Sequence, residues 1–123
     1  MAYDEFLADR LRRAFQQAKV SFYEKNMFGG LCFMVDEKMC CGIHYDKKKQ
    51  TDLLMARIGE EASEAAMHRE GCHPMDFTGR PMKGYVFVTP DGFDSEDDLS
   101  YWVRLCLAFN PLAKASKKKR KAD

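Results

Sequence analysis

No run of about eighteen apolar residues occurs in this chain, which leaves out a membrane-spanning helix. The G-x-S-x-G elbow, the phosphate-binding glycine loop and the dinucleotide fingerprint are missing too, so the commonest hydrolase, nucleotide-binding and dehydrogenase signatures are absent. No two cysteines stand at C-x₂₋₄-C spacing, the usual signature of a structural zinc. No internal repeat is visible, and Met1-Ala2-Tyr3-Asp4-Glu5 is acidic and does not resemble a signal peptide. Tryptophan is scarce. The single Trp102 lies on a helical apolar stripe and reads as core.

What the chain does have is apolar material: 46% of its 123 residues are hydrophobic and 12% aromatic, enough for one domain with one core. Its five cysteines, Cys32, Cys40, Cys41, Cys72 and Cys106, are odd in number and spread over predicted core elements. Free thiols packing as small hydrophobes in a cytoplasmic protein are the simplest reading. The net charge of +1 hides a division. Residues 1–113 carry 14 Lys and Arg against 18 Asp and Glu, whereas residues 114–123 carry six cations against Asp123.

The stretch 27–46 is expected to organise the fold. Leu31, Phe33 and Val35 alternate with Cys32 and Met34, Asp36-Glu37-Lys38 reads as a turn, and Met39, Cys41, Ile43 and Tyr45 alternate on a return strand. Ahead of it, Phe6, Leu7, Leu11, Ala14, Phe15 and Ala18 predict an amphipathic helix over 4–18, its Arg10, Arg12 and Arg13 on a solvated face. Val20 to Met27 predicts an extended first strand. After the hairpin, 45–52 reads as a polar loop, 53–58 as a strand and 60–68 as a short helix with Glu60, Glu61 and Glu64 favouring its N-terminal end. Residues 69–84, with Pro74, Pro81, Gly71, Gly79 and Gly84, read as a long loop without regular structure. Tyr85–Val88 is a strand, Pro90-Asp91-Gly92 a turn, and a last helix begins at Ser95 and stops before Pro111. The fold class expected is α+β: a two-layer sandwich of about five antiparallel strands with two long helices and one short one on one face. The other face would be left partly open.

The motifs MFGG at Met27–Gly30, LCFMVDEKMCCGI, PMDFTGRPMKGYV at Pro74–Val86 and LSYWVRLCLAF resemble the TfoX/Sxy N-terminal domain family over roughly residues 1–112. The resemblance implies an α+β two-layer fold and a regulatory role, since the namesake proteins are bacterial transcriptional coactivators of competence genes and carry a second, C-terminal domain. It brings no catalytic residues. After Phe109 this chain has only Pro111-Leu112-Ala113 and the basic run. The expected division is a domain over 1–112 and a basic tail over 113–123, disordered in isolation.

Two function classes are carried forward. In the first, the protein is a non-enzymatic regulatory or adaptor domain, a monomer or weak homodimer, with a protein partner on Met34, Met75, Phe77, Arg80, Met82 and Lys83. Weak nucleic-acid attraction would come from Lys117, Lys118, Lys119, Arg120 and Lys121. In the second, Cys72 beside His73 is the activated thiol of a small enzyme or sensor. A metal is not expected. Cys40 and His44 fall on one strand face but roughly 13 Å apart, and Cys41 falls on the other. No cofactor is expected.

Overall fold

The computed structural model of the chain describes residues 4–27, 30–74 and 84–113. The elements run α1 (Glu5–Gln17), β1 (Tyr23–Met27), β2 (Gly30–Val35), β3 (Lys38–Asp46), β4 (Thr51–Arg57), α2 (Glu60–Ala66), β5 (Cys72–Pro74), β6 (Tyr85–Val88) and α3 (Glu96–Phe109). The six strands form one open antiparallel sheet in the order β1-β2-β3-β4-β6-β5. The buried residues of all three helices belong to one cluster, with Leu31, Phe33, Val35, Ile43, Leu54, Val86 and Val88 of the sheet. The architecture is α+β, in two layers.

The centre of the sheet is the β2–β3 hairpin. Asp36 and Glu37 both take positive φ, +55° and +66°, the two-residue turn whose twist matches the flanking strands. Lys38 already belongs to β3. A Cβ on Gly30 would overlap the Ile43 carbonyl oxygen, and one on Gly42 would stand 2.7 Å from the Leu31 carbonyl oxygen. The register slips between Phe33 and Met34: Phe33 faces Cys41, Met34 faces Met39, and Cys40 is the extra residue of a bulge.

That bulge breaks the alternation expected of β3. Cys40 and Cys41 both enter the cluster under the helices, while Met39 goes to the opposite face. Cys40 and His44 therefore do not share a face, contrary to the sequence reading; His44 stacks on Phe87 on the far side, ring centres 5.4 Å apart.

Helix α1 is capped by the Asp4 carboxylate, which accepts from the Phe6 amide at 3.0 Å. Leu7, Ala8, Leu11 and Phe15 are its buried residues. Phe6 is 69% exposed and not part of the stripe, because at 100° per residue it lies roughly 150° round the helix from the stripe's centre. Arg10 is not on a solvated face either. Its guanidinium donates to the carbonyls of Phe93, Asp94 and Ser95 at 3.1–3.4 Å and ties α1 to the start of α3. Its Nε lies 3.3 Å from Glu96, an ion pair without an aligned hydrogen bond. Arg12 forks onto Glu24 at 2.7 and 3.0 Å, and Arg13 pairs with Asp9 at 3.2 Å.

Other boundaries differ from the sequence reading for local reasons. β1 begins at Tyr23, since the Val20 amide still bonds back to Phe15 and Phe22 turns into the ring cluster of Phe15 and Phe33. Tyr45, Asp46, Thr51 and Asp52 are paired in the β3–β4 ladder, which shortens the polar loop to a turn held by Asp46. Cys72–Pro74, expected as loop, is the edge strand β5, its Cys72, His73 and Pro74 opposite Val88, Phe87 and Val86.

The second face is open only toward its edges, where Tyr23 and His73 are exposed. Cys32, Met34, Met39, Leu53, Met55 and Phe87 are buried on that face, with Tyr85 partly buried beside them.

At Gly30 the neighbour is main chain, so relief requires parting two strands. Gly30→Ala is expected to destabilise by about 3 kcal/mol or more, beyond an ordinary overpacked core. Urea unfolding measures it; a loss below about 0.5 kcal/mol, the range of neutral surface changes, would contradict this close approach.

Candidate functional site

Three places in the described residues gather side chains with chemical or docking potential. The first is the thiol cluster. All five cysteines are free and buried. Cys106, on the inner face of α3, lies within hydrogen-bonding reach of both Cys40 and Cys41, brought to the same side by the bulge. Burial pushes the Cys106 thiol well above its ordinary value, and these hydrogen bonds add to the effect. Burial also pushes the Cys32 thiol up to about 12 and the Cys72 thiol up to about 11.

Cys72 and His73 do not form a pair. Successive strand residues point to opposite faces, so Cys72 enters the cluster under the helices, while His73 is exposed opposite Phe87. The thiol is held protonated by burial instead of being activated by an imidazolium. His73 borders a cleft of about 250 Å³ with Asp46, Lys49, Leu53, Pro74, Phe87 and Thr89.

The second place is the buried far face. Met34 lies within it at 8% exposure and so is not presented at the surface. Met75, Phe77, Arg80, Met82 and Lys83 lie outside the described residues, as do Lys117, Lys118, Lys119, Arg120 and Lys121.

The third place is a groove of about 240 Å³ between the start of α2 and the end of α3. Ile58, Ala62, Leu105, Ala108, Phe109 and Leu112 supply apolar lining, and Glu60 and Glu61 carry its charge. Gly59 makes the approach possible: its φ is +89°, and a Cβ there would stand 2.7 Å from the Phe109 ring. Leu112 is 75% exposed, in the 3₁₀ turn Asn110–Leu112. Sequence reasoning missed this groove. Glu60 and Glu61 were visible only as helix-start residues, and nothing local shows that α2 packs beside Phe109.

Where the groove ends, the chain is fixed by polar contacts. Asn110 is buried and donates from Nδ2 to the Val35 carbonyl at 3.2 Å, while its Oδ1 has no partner among the described residues. Lys38 Nζ donates to the carbonyls of Asn110, at 2.9 Å, and Ala113, at 3.4 Å. A cation thus meets the carbonyl end of α3, where the helix dipole favours it.

Thiols held protonated by the fold stabilise it fully below their ordinary value of 9.0 and lose that contribution as pH rises through the folded values, about 11 for Cys72 and 12 for Cys32. The denaturation midpoint is expected to fall between pH 9 and 11, and less steeply in the Cys72→Ala chain; equal slopes in the two would contradict it. Native protein should also alkylate slowly at every cysteine near about pH 6, and one fast thiol would restore the sensor reading.

Residues 13–110 match the family model of the TfoX N-terminal domain. No curated protein and no solved structure matches the chain.

Proposed function

The chain belongs to the TfoX N-terminal domain family, matched over most of its length, and from that membership we propose a regulatory domain of the competence-factor type that works by contacts with another protein in the cytoplasm. Membership carries this reading, because the family is regulatory and non-catalytic. The separation of Cys72 from His73 supports it against the thiol-enzyme alternative. The protein acts as a monomer or weak homodimer. Its partner surface is drawn from Met75, Phe77, Arg80, Met82 and Lys83, which follow β5 in the chain, and the buried Met34 drops out of that surface.

The charge division adds a second component. Lys117, Lys118, Lys119, Arg120 and Lys121 form a compact cationic run attached to a body of net −4, and such a run attracts polyanions by counterion release without reading sequence. The arginines of α1 do not add to it, since they are engaged by Glu96, Glu24 and Asp9.

Duplex DNA binding tests this component. The full chain is compared with one in which those five tail residues are Gln. Only the unmodified chain should bind, and its affinity should fall roughly 500-fold between about 50 and 200 mM salt, as roughly five phosphate contacts require. Equal binding by both chains would move the nucleic-acid contact off the tail, and binding by neither would remove nucleic acid as a direct partner.

The protein-contact surface has its own check. If Met75 and Met82 serve a partner, Met75→Asp with Met82→Asp leaves stability within about 0.5 kcal/mol per site, as for ordinary surface substitutions. A drop of several kcal/mol on thermal unfolding would make them core.

A further inference from the structure

We infer that the basic residues 114–123 seat back on the groove between α2 and α3, so that the chain supplies the groove's occupant itself. The groove's chemistry suits a lysine or an arginine. Such side chains lay their methylenes on apolar surface and keep the charged head at a polar margin. Leu105, Ala108 and Phe109 offer the surface, and Glu60 and Glu61 the margin. The Phe109 ring already has the Arg57 guanidinium over it, 6.0 Å from the ring centre, so it serves the groove as apolar surface. Glu64, exposed one turn further along α2, extends the acidic row. Among the described residues, none of Glu60, Glu61 and Glu64 has an ion-pair partner.

The tail is matched to this groove by origin, reach and charge. Leu112 itself lines the groove, and Lys38 holds the carbonyl of Ala113, the last described residue, so the basic run follows two residues after the groove's lining in the chain. Four extended residues span roughly 13 Å, which brings Lys117 and its neighbours to the rim without strain. Within 114–121 six of eight residues are cationic. Single exposed ion pairs are weak and screened by salt. A ligand tethered this closely, however, is present at an effective concentration in the millimolar range, so contacts too weak to join separate molecules are still populated.

The consequence is competition. A tail seated on α2 is not free for a polyanion, and the glutamates of α2 therefore set how much of the tail is available. This goes beyond the function proposed above, since the groove contact holds whether or not DNA is a partner.

The test uses the full chain and reads the groove directly. Amide chemical shifts are compared between the unmodified chain and the chain with Lys117, Lys118, Lys119, Arg120 and Lys121 replaced by Gln. At about 0.01 M salt, where the Debye length is about 30 Å, the amides of Glu60, Glu61, Ala62, Leu105 and Ala108 should differ; at about 1 M the difference should vanish. Coincident spectra at low salt would overturn the inference, as would differences confined to another acidic stretch. Differences that grow with protein concentration would also overturn it, because the occupant would then be the tail of a second copy. A second variant, Glu60→Gln with Glu61→Gln, alters only exposed side chains. Trypsin should cut its tail roughly threefold faster than the unmodified tail, as for a segment docked about two-thirds of the time and cleaved only when free. An unchanged rate would overturn the seating on these glutamates.

Discussion

No side chain fits at residue 30, and the arrangement of the sheet depends on that constraint. Gly30 and Gly42 let β2 and β3 lie so close that each would drive a Cβ into the other's carbonyl. With this end of the hairpin fixed by close approach and the other by the Asp36-Glu37 turn, the extra residue on β3 is confined between them, at Cys40. The bulge then decides which side chains meet the helices. Cys40 and Cys41 both go under α3 and meet Cys106, while Met39 joins Met34 and Met55 on the far face. One steric condition in the central strand pair thus sets the register, the two apolar faces and the position of three thiols.

The helices are fastened to that sheet at polar points as well as by burial. Arg10 gathers three successive carbonyls at the start of α3, and the indole of Trp102 donates to the Gly92 carbonyl at 2.9 Å. At the other end Asn110 and Lys38 join the close of α3 to the hairpin. The Asn110 Oδ1, unpartnered among the described residues, costs about 1–3 kcal/mol. An apolar residue would avoid that cost but would leave the Val35 carbonyl without its amide donor, so the buried amide sets direction where apolar packing alone sets only depth. Hydrophobic contact is non-directional; these bonds specify where each helix begins and ends against the strands.

Much of this was legible in the sequence, and what was not follows a pattern. Leu31, Phe33 and Val35 against Cys32 and Met34 sort onto the two faces as their spacing predicts, because strand periodicity is local. The Ser95 cap and the stop before Pro111 were readable for the same reason. Cys40 defeated the reading because a bulge inserts one residue and inverts the alternation beyond it, with no local signal beyond two adjacent cysteines. Arg10 defeated it because its partners lie more than eighty residues away. Cys72–Pro74 was taken for loop because three residues carry no periodicity, and pairing with β6 supplies what the segment lacks. The groove was invisible because α2 and α3 are joined there by packing at Gly59, not by a motif.

Charge in the sequence divides at Ala113. The body has an acidic balance and spends its α1 arginines on its own carboxylates, Arg12 on Glu24 and Arg13 on Asp9. The densest run of cations in the sequence follows Ala113, while Lys47, Lys48, Lys49 and Arg104 of the body also carry no ion pair among the described residues. A basic run attached to a neutral surface would attract polyanions at all times. Seated beside Glu60 and Glu61 as inferred above, it would have a competing site within a few residues of chain, and salt would weaken both contacts together. Availability then depends on the ratio of two electrostatic affinities instead of on either alone. A ratio of that kind responds to a partner that covers α2, and such a partner need never touch the tail to release it.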